Sequence, residues 1–84
     1  MSIIIYTKDN CPWCVKVKSL LTEYGDKFIE LHLGVDFKRQ DIINLIGPDK
    51  KPTLPQIMIN DNLIGGYEDL LVYYEDTFRF GIQN

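Results

Sequence analysis

Residues 3–17 read IIIYTKDNCPWCVKV, a stretch that joins an apolar run to both cysteines of the chain, Cys11 and Cys14. The β-branched and aromatic residues at 3–6 predict a short buried strand. Pro12 suits the first turn of a helix, because the N–H group that proline lacks has no partner at that position. The stretch therefore predicts a strand that leads into a helix, with two thiols at the junction.

Apolar periodicity and turn residues divide the rest of the chain into alternating elements. Strands are predicted near residues 3–6, 28–33, 56–59 and 62–64, and helices from Pro12 to the turn at Gly25, from Asp36 to Ile46 and from about Tyr67. The first two strands should be parallel, because a helix connects them by a right-handed crossover. The last two should form an antiparallel hairpin. This order predicts an α/β fold with a four-stranded mixed sheet, spatial order 2-1-3-4, and three flanking helices.

The apolar positions also predict what is buried. The second strand is expected to be as buried as the first, and the second helix has an apolar side formed by Ile42, Ile43, Leu45 and Ile46. The last helix carries Leu70, Leu71, Tyr74 and Phe78. The residues expected in the core are Ile5, Leu20, Leu21, Ile57 and Leu71.

Length, composition and charge exclude several classes of function. The 84 residues suit a single domain over residues 1–84, and 45% hydrophobic with 25% charged residues is typical of a globular protein. A net charge of −3 without a basic stripe argues against a nucleic-acid partner. The apolar start is too short for a signal peptide, and no segment approaches the length of a membrane span. We expect a cytoplasmic monomer that binds no membrane.

A structural staple is a poor explanation for the two cysteines. In the loop-entropy model, closing so short a loop stabilises the fold by only about 2 kcal/mol. In a reducing cytosol, a CxxC pair is more often redox-active or metal-binding than a fixed disulfide. A zinc site needs about four ligands, and the one histidine, His32, lies on a predicted strand as a structural or partly exposed residue. Zinc is therefore the weaker interpretation, and no metal site is predicted.

The position of the thiols predicts different roles for them. The free N–H groups and partial positive charge of a helix start favour a thiolate, so Cys11 at the cap position should be the nucleophile. Cys14, a turn further in, should be more covered and should resolve a mixed disulfide formed on Cys11. Lys8 and Lys16 can add positive charge nearby. Trp13 should form a partly exposed wall of the site.

Four segments together resemble the glutaredoxins, the glutathione-dependent branch of the thioredoxin superfamily. They are YTK at 6–8, CPWC at 11–14, TLPQI at 53–57 and GGYEDL at 65–70, and they span nearly the whole chain in the family's order and spacing. The resemblance implies a thioredoxin-like fold and a dithiol active site. Trp13 stands where the commonest dithiol members of the family have tyrosine. This difference leaves the reduction potential and the substrate preference of the chain open. Glu68 stands where many members of the family have aspartate. It keeps the negative charge on a longer side chain.

The resemblance also implies a glutathione site. The Leu54–Pro55 bond would be cis and face the thiols, with the Leu54 backbone pairing to the cysteine of glutathione. From the residues alone, a trans proline at a strand start is the commoner arrangement. Gly66 would let the backbone approach closely, so that the N–H groups of Tyr67 and Glu68 bind the γ-glutamyl carboxylate.

Charged side chains would hold the two ends of the tripeptide. Glu68 or Asp69 could bind the ammonium group, in addition to their ordinary role of complementing the helix dipole. Lys8 matches the family position that binds the glycyl carboxylate. Arg39 and Gln40 are further candidates, although a charged residue there can be simply solvated.

The sequence therefore predicts a glutathione-dependent thiol–disulfide oxidoreductase that reduces protein disulfides and glutathionylated proteins. The resemblance suggests ribonucleotide reductase among its partners. One alternative is a [2Fe–2S] cluster shared by two chains through Cys11 and glutathione, although Pro12 favours the redox role. A second is a thioredoxin-like reductant recharged by a flavoenzyme, against which Lys8 and the Glu68-Asp69 helix start argue.

Overall fold

The fold has the predicted order of seven elements. The computed structural model describes the backbone of residues 1–81 and the side chains of residues 1–76. The strands are β1 (Ile3–Thr7), β2 (Ile29–His32), β3 (Gln56–Ile59) and β4 (Asn62–Gly65), and the helices are α1 (Pro12–Glu23), α2 (Arg39–Ile46) and α3 (Tyr67–Gly81). Within residues 1–81 no helix combines the length and the apolar character needed to cross a membrane.

The sheet has the predicted topology, with strand order β2-β1-β3-β4. β1 pairs in parallel with β2 and antiparallel with β3, and β3 pairs antiparallel with β4. The hairpin between β3 and β4 turns at Asn60 and Asp61, both with positive φ, so Asn62 already belongs to β4 rather than to the turn. The predicted four-stranded mixed sheet with three helices is confirmed.

The core lies where the central strands meet α1 and α3. Ile5, Leu20, Leu21 and Ile57 are buried as predicted. The prediction that Leu71 is buried is wrong, because α3 turns the neighbouring Leu70 into the core and leaves Leu71 only partly buried at its edge. The predicted contribution of the Phe78 side chain lies outside the described residues.

The expectation that the second strand is as buried as the first is also wrong. β2 is an edge strand with one neighbour, and Ile29 is 59% exposed. It is shorter than predicted: Phe28 packs against the core from outside the strand, and Leu33 forms an isolated bridge to Phe37, although its N–H still donates to the Thr7 carbonyl at 2.9 Å. An edge strand can carry the same apolar residues as a central one, so the sequence pattern did not distinguish them.

The second helix begins at Arg39, three residues later than predicted, because the preceding residues form a turn. The Asp36 carboxylate accepts a hydrogen bond from the His32 N–H at 2.8 Å, and the Gly34 N–H donates to the Phe37 carbonyl at 2.8 Å. Phe37 is buried and packs edge-on against Tyr6, with 5.1 Å between ring centroids. Along the predicted apolar side of α2, Ile42 alone is fully buried, and the other residues named for that side, Ile43, Leu45 and Ile46, are partly buried.

Candidate active site

Cys11 occupies the N-cap position of α1, as predicted. Its backbone is extended, with φ −121° and ψ 98°, and Pro12 follows as the first helical residue. The Cys11 Sγ atom accepts a hydrogen bond from the Cys14 N–H at 3.2 Å. A sulfur therefore takes the place of the side-chain oxygen that usually caps a helix. In the reduced protein the same N–H group and the helix dipole favour a thiolate on Cys11.

The two sulfurs form a disulfide in this structure, and residues 1–81 contain no free cysteine. The Cα atoms of Cys11 and Cys14 are 5.2 Å apart. Cys11 is 8% exposed and Cys14 is 2% exposed, so Cys14 is the more covered of the two, as predicted. An attacking thiolate therefore reaches Cys11 more easily than Cys14.

A groove of about 500 Å³, called here the proline groove, is lined by Trp13, which lies between the two cysteines in the sequence, although neither cysteine lines it. The Leu54–Pro55 bond that borders it is cis, as the resemblance implied. The Trp13 side chain is half exposed and lies 5.7 Å from the Tyr67 ring, between centroids. Lys8, Arg39 and Gln40 do not line the groove, which brings together the other predicted glutathione contacts: Trp13, Leu54, Pro55, Gly66, Tyr67, Glu68 and Asp69.

The start of α3 forms one end of the proline groove. The Asp69 carboxylate accepts a hydrogen bond from the Gly66 N–H at 3.0 Å. Gly65 has φ +120°, and a Cβ atom there would collide with the Asp69 side chain. The N–H groups of Tyr67 and Glu68 belong to the first helical turn, where the helix itself supplies no acceptor. Asp69 is thus engaged in capping the helix, whereas the exposed Glu68 is available to a ligand.

The cations of the site are divided between two places. Lys50 and Lys51 line the proline groove, although the sequence analysis did not select them. Their position directly before the TLP segment was the signal that could have identified them. Lys8 lies elsewhere, in the second groove described next. Arg39 and Gln40 are exposed in the first turn of α2 and line neither groove.

A second groove of about 540 Å³, called here the thiol groove, is lined by both Cys11 and Cys14. Glu30 lies in its wall, where its carboxylate accepts hydrogen bonds from Thr7 Oγ1 at 3.0 Å and from Lys18 Nζ at 3.0 Å. Burial alone would raise the pKa of Glu30, but the hydrogen bonds from Lys18 and Thr7 outweigh it and hold that pKa below its usual value. The carboxyl is therefore ionised at neutral pH.

The partly exposed His32 completes this group, with its Nε2 atom 3.7 Å from Glu30 Oε1. Sequence reasoning missed the cluster of Thr7, Lys18, Glu30 and His32, whose members come from three elements. Among the described residues no group of three or more histidine, cysteine, aspartate or glutamate side chains is placed to hold a metal ion.

Comparison with known proteins shows the family of this chain. The sequence profile of the glutaredoxin family matches residues 3–64. Glutaredoxin 3 of Escherichia coli K12 is 41% identical over 70 residues, which cover 82% of this chain and 81% of that protein. The hybrid peroxiredoxin hyPrx5 of Haemophilus influenzae is 40% identical over 73 residues, which cover 87% of this chain but only 29% of that protein.

Solved structures share the fold as well. The crystal structure of a buckwheat glutaredoxin–glutathione complex superposes with a TM-score of 0.76 at 20% identity, covering 88% of this chain and 68% of that one. The chain belongs to the glutaredoxin family. The family and the Cys11–Cys14 pair support a thiol–disulfide oxidoreductase.

Proposed function

We propose that this chain is a glutathione-dependent oxidoreductase that reduces protein disulfides and glutathione mixed disulfides through Cys11 and Cys14. The observation that carries the proposal is the proline groove, which is lined by Trp13 from the CPWC segment, by the cis Leu54–Pro55 segment and by the start of α3. Its volume falls within the range of small-molecule sites. Its polar groups suit a peptide that carries a carboxylate at each end.

Each part of glutathione has a partner of matching chemistry in the groove. The Leu54 backbone would pair with the cysteinyl residue, and the first-turn N–H groups of α3 would bind the γ-glutamyl carboxylate. Because Asp69 already accepts the Gly66 N–H, Glu68 is the better partner for the ammonium group. Lys51 and Lys50 in this groove are candidates for the glycyl carboxylate, and Lys8 in the thiol groove is a further one. Trp13 and Tyr67 would pack against the peptide.

The proposed reaction is a series of four thiol–disulfide exchanges. The Cys11 thiolate attacks a sulfur of the substrate disulfide and releases the other sulfur as a thiolate. The Cys14 thiolate then attacks Cys11, which frees the reduced protein and leaves the Cys11–Cys14 disulfide. One glutathione thiolate opens that disulfide by bonding to Cys11, and a second removes the first as glutathione disulfide. Two glutathione thiols are oxidised for each disulfide reduced.

The chain would act as a cytoplasmic monomer and as one domain over residues 1–84, whether alone or joined to other domains. The resemblance suggests ribonucleotide reductase as one protein substrate. The name of the Haemophilus influenzae relative suggests a peroxiredoxin as another class of partner to test.

An assay with two alternative electron donors tests the proposal. Reduction of a small glutathione mixed disulfide is followed with glutathione and glutathione reductase, and separately with thioredoxin reductase and no glutathione. We expect turnover with the first system only. Turnover with the flavoenzyme alone would support a thioredoxin-like reductant instead. A brown colour after anaerobic purification would support cluster binding.

A further inference from the structure

Reduction of the Cys11–Cys14 disulfide leaves a negative charge on a buried atom. When a thiolate bonds to Cys11, the S–S bond breaks and its electron pair goes to the Cys14 sulfur. Cys14 is only 2% exposed, so water solvates the developing thiolate poorly. Burial of an uncompensated charge is costly, and a nearby cation lowers that cost. The fold therefore needs a positive group close to Cys14 rather than close to Cys11 alone.

Lys18 lies where such a cation is needed. It follows Cys14 by four residues on α1, a spacing that places Cβ atoms about 5–6 Å apart on one face of a helix. Lys18 and Cys14 both line the thiol groove. The Lys18 side chain is 35% exposed, so its ammonium group is less screened than one on an open surface.

A chain of contacts holds the Lys18 ammonium in place. Its Nζ atom is 3.0 Å from Glu30 Oε2, and the same oxygen accepts a hydrogen bond from Thr7 Oγ1 at 3.0 Å. Thr7 is 1% exposed at the end of the central strand β1. An ammonium group has three N–H donors, and one contact with Glu30 leaves others for the groove. Glu30 is thus a positioning residue for Lys18.

We propose that Lys18, held by Glu30 and Thr7, supplies the positive charge that stabilises the thiolate on Cys14. The same charge would assist both steps that involve this thiolate: its release when the disulfide is reduced, and its attack on a mixed disulfide at Cys11. A better-stabilised leaving thiolate departs faster. The proposal depends on the proposed function only in naming glutathione as the physiological reductant.

The other charged or titratable groups that line the thiol groove together with Cys14 are Lys8 and Asp9 on the loop before α1, and Glu30 and His32 on β2. Lys8 and Asp9 are exposed and of opposite sign. The Nε2 atom of His32 lies 3.7 Å from Glu30 Oε1. Glu30 opposes a thiolate by its own charge, so its role here depends on holding Lys18. Because Glu30 has these two opposite effects, comparing substitutions of Glu30 and Lys18 distinguishes a positioning effect from an electrostatic effect.

The test compares the Lys18→Met variant with wild type. Lys18→Arg is the conservative variant that keeps the positive charge. Lys27→Met, at an exposed position, is the control that removes the same charge elsewhere. The rate of reduction of the preformed disulfide is measured with glutathione and separately with dithiothreitol. We expect Lys18→Met to slow both reactions about threefold to tenfold. Lys18→Arg and Lys27→Met should stay within about twofold of wild type. Equal rates for Lys18→Met and wild type would overturn the proposal.

Three further measurements separate the effect of the Lys18 charge from a structural effect. In a Cys11→Ser background, thiolate absorbance should show a higher Cys14 pKa when Lys18 is Met. In a Cys14→Ser background, Lys18→Met should leave removal of glutathione from a mixed disulfide unchanged, and a loss there would contradict the assignment. Glu30→Gln weakens the contact that positions Lys18 but keeps the Lys18 charge, so it should slow disulfide reduction less than Lys18→Met does. Equal slowing by Glu30→Gln and Lys18→Met would overturn the assignment of the stabilising charge to Lys18.

The dithiothreitol measurement keeps this proposal separate from glutathione dependence. If glutathione is not the reductant, the wild-type disulfide will react well with dithiothreitol and poorly with glutathione. The difference between Lys18→Met and wild type should still appear with dithiothreitol.

Discussion

At the scale of single residues, Cys11 and Cys14 have different structural environments, although only two residues separate them in the sequence. Cys11 caps α1, and its sulfur accepts an N–H group, whereas Cys14 lies inside the first turn and is the more covered. An N–H donor favours a thiolate, and burial opposes one. The roles of the two sulfurs should therefore be distinguishable by substituting each cysteine in turn.

Cys11→Ser should abolish reduction of every disulfide substrate, because the attacking thiolate is lost. Cys14→Ser should spare reduction of glutathione mixed disulfides, since glutathione itself can resolve glutathionylated Cys11, and should cripple reduction of protein disulfides. Parallel assays on the two substrate types measure this. The rate of alkylation measured as a function of pH should show that Cys11 reacts at pH values well below the pKa of about 8.5 of a free thiol. Retained mixed-disulfide activity in Cys11→Ser, with loss in Cys14→Ser, would reverse the roles.

Charge reversal distinguishes the candidates for the glycyl carboxylate. Lys8→Glu and Lys51→Glu should each raise the KM for glutathione by roughly twofold to fivefold, because exposed pairs contribute little individually. High salt should shrink both effects. Lys27→Glu, which is exposed and lines neither groove, serves as the control. An unchanged KM in one of the two variants would remove that lysine from the site.

At the scale of elements, the junction between β4 and α3 depends on a glycine. Gly65 has φ +120°, lies opposite a register shift in β3 and leaves no room for a side chain beside Asp69. Gly65→Ala should lower the free energy of unfolding by about 1–3 kcal/mol, because it combines backbone strain with displacement of the cap. Gly66→Ala is the matched control, since a Cβ there meets the Pro55 carbonyl oxygen at an ordinary 3.7 Å. Urea denaturation of both variants measures the difference, and equal losses would contradict this account.

The contacts of Glu30 join α1, β1 and β2. Its pKa is lowered in the folded protein, so the ionised carboxyl stabilises the fold above its ordinary value of 4.5. That stabilisation is lost as the pH falls through the lowered pKa. Glu30→Gln should cost about 1 kcal/mol or less at neutral pH, and the difference from wild type should disappear in acid. Urea denaturation at several pH values checks this, and a difference that persists in acid would mean that packing rather than charge is responsible.

At the scale of the whole molecule, Tyr74 connects the two long helices. Its ring stacks on Tyr24 at the end of α1 with 3.9 Å between centroids, and its hydroxyl donates to Asp26 Oδ2 at 2.5 Å. Burial, followed by the hydrogen bond to Asp26, raises the pKa of Tyr74 well above its ordinary value of 10.0. The protonated hydroxyl therefore stabilises the fold below that value, and the stabilisation is lost as the pH rises above it.

Tyr74→Phe should keep the ring contact and lose the hydrogen bond, at a cost of about 1 kcal/mol at neutral pH. Above the ordinary tyrosine pKa, wild type should lose stability more steeply than the variant. Chemical denaturation at neutral and alkaline pH tests both statements. Identical pH dependence in the two proteins would show that another group governs alkaline unfolding.

The sequence by itself determined the order of the elements, the topology of the sheet and the position of the thiols. These features follow from local information: apolar periodicity, Pro12 at a helix start, and glycine or asparagine at turns. The cis bond at Leu54–Pro55 came from the family resemblance, because the residues alone favoured the trans form. Burial of Ile5 and Leu21 followed from their place in strongly apolar segments.

Only the tertiary structure decided the properties that depend on distant partners. β2 is exposed because it lies at the sheet edge, and α2 starts late because Asp36 bonds to His32. Lys8 and Pro55 line different grooves. The tertiary fold, rather than the spacing of the motifs in the sequence, decides which groove each loop borders. The contact of Glu30 with Thr7 joins residues 23 positions apart. No local pattern encodes such a pair, because its geometry exists only after the strands and helix have packed.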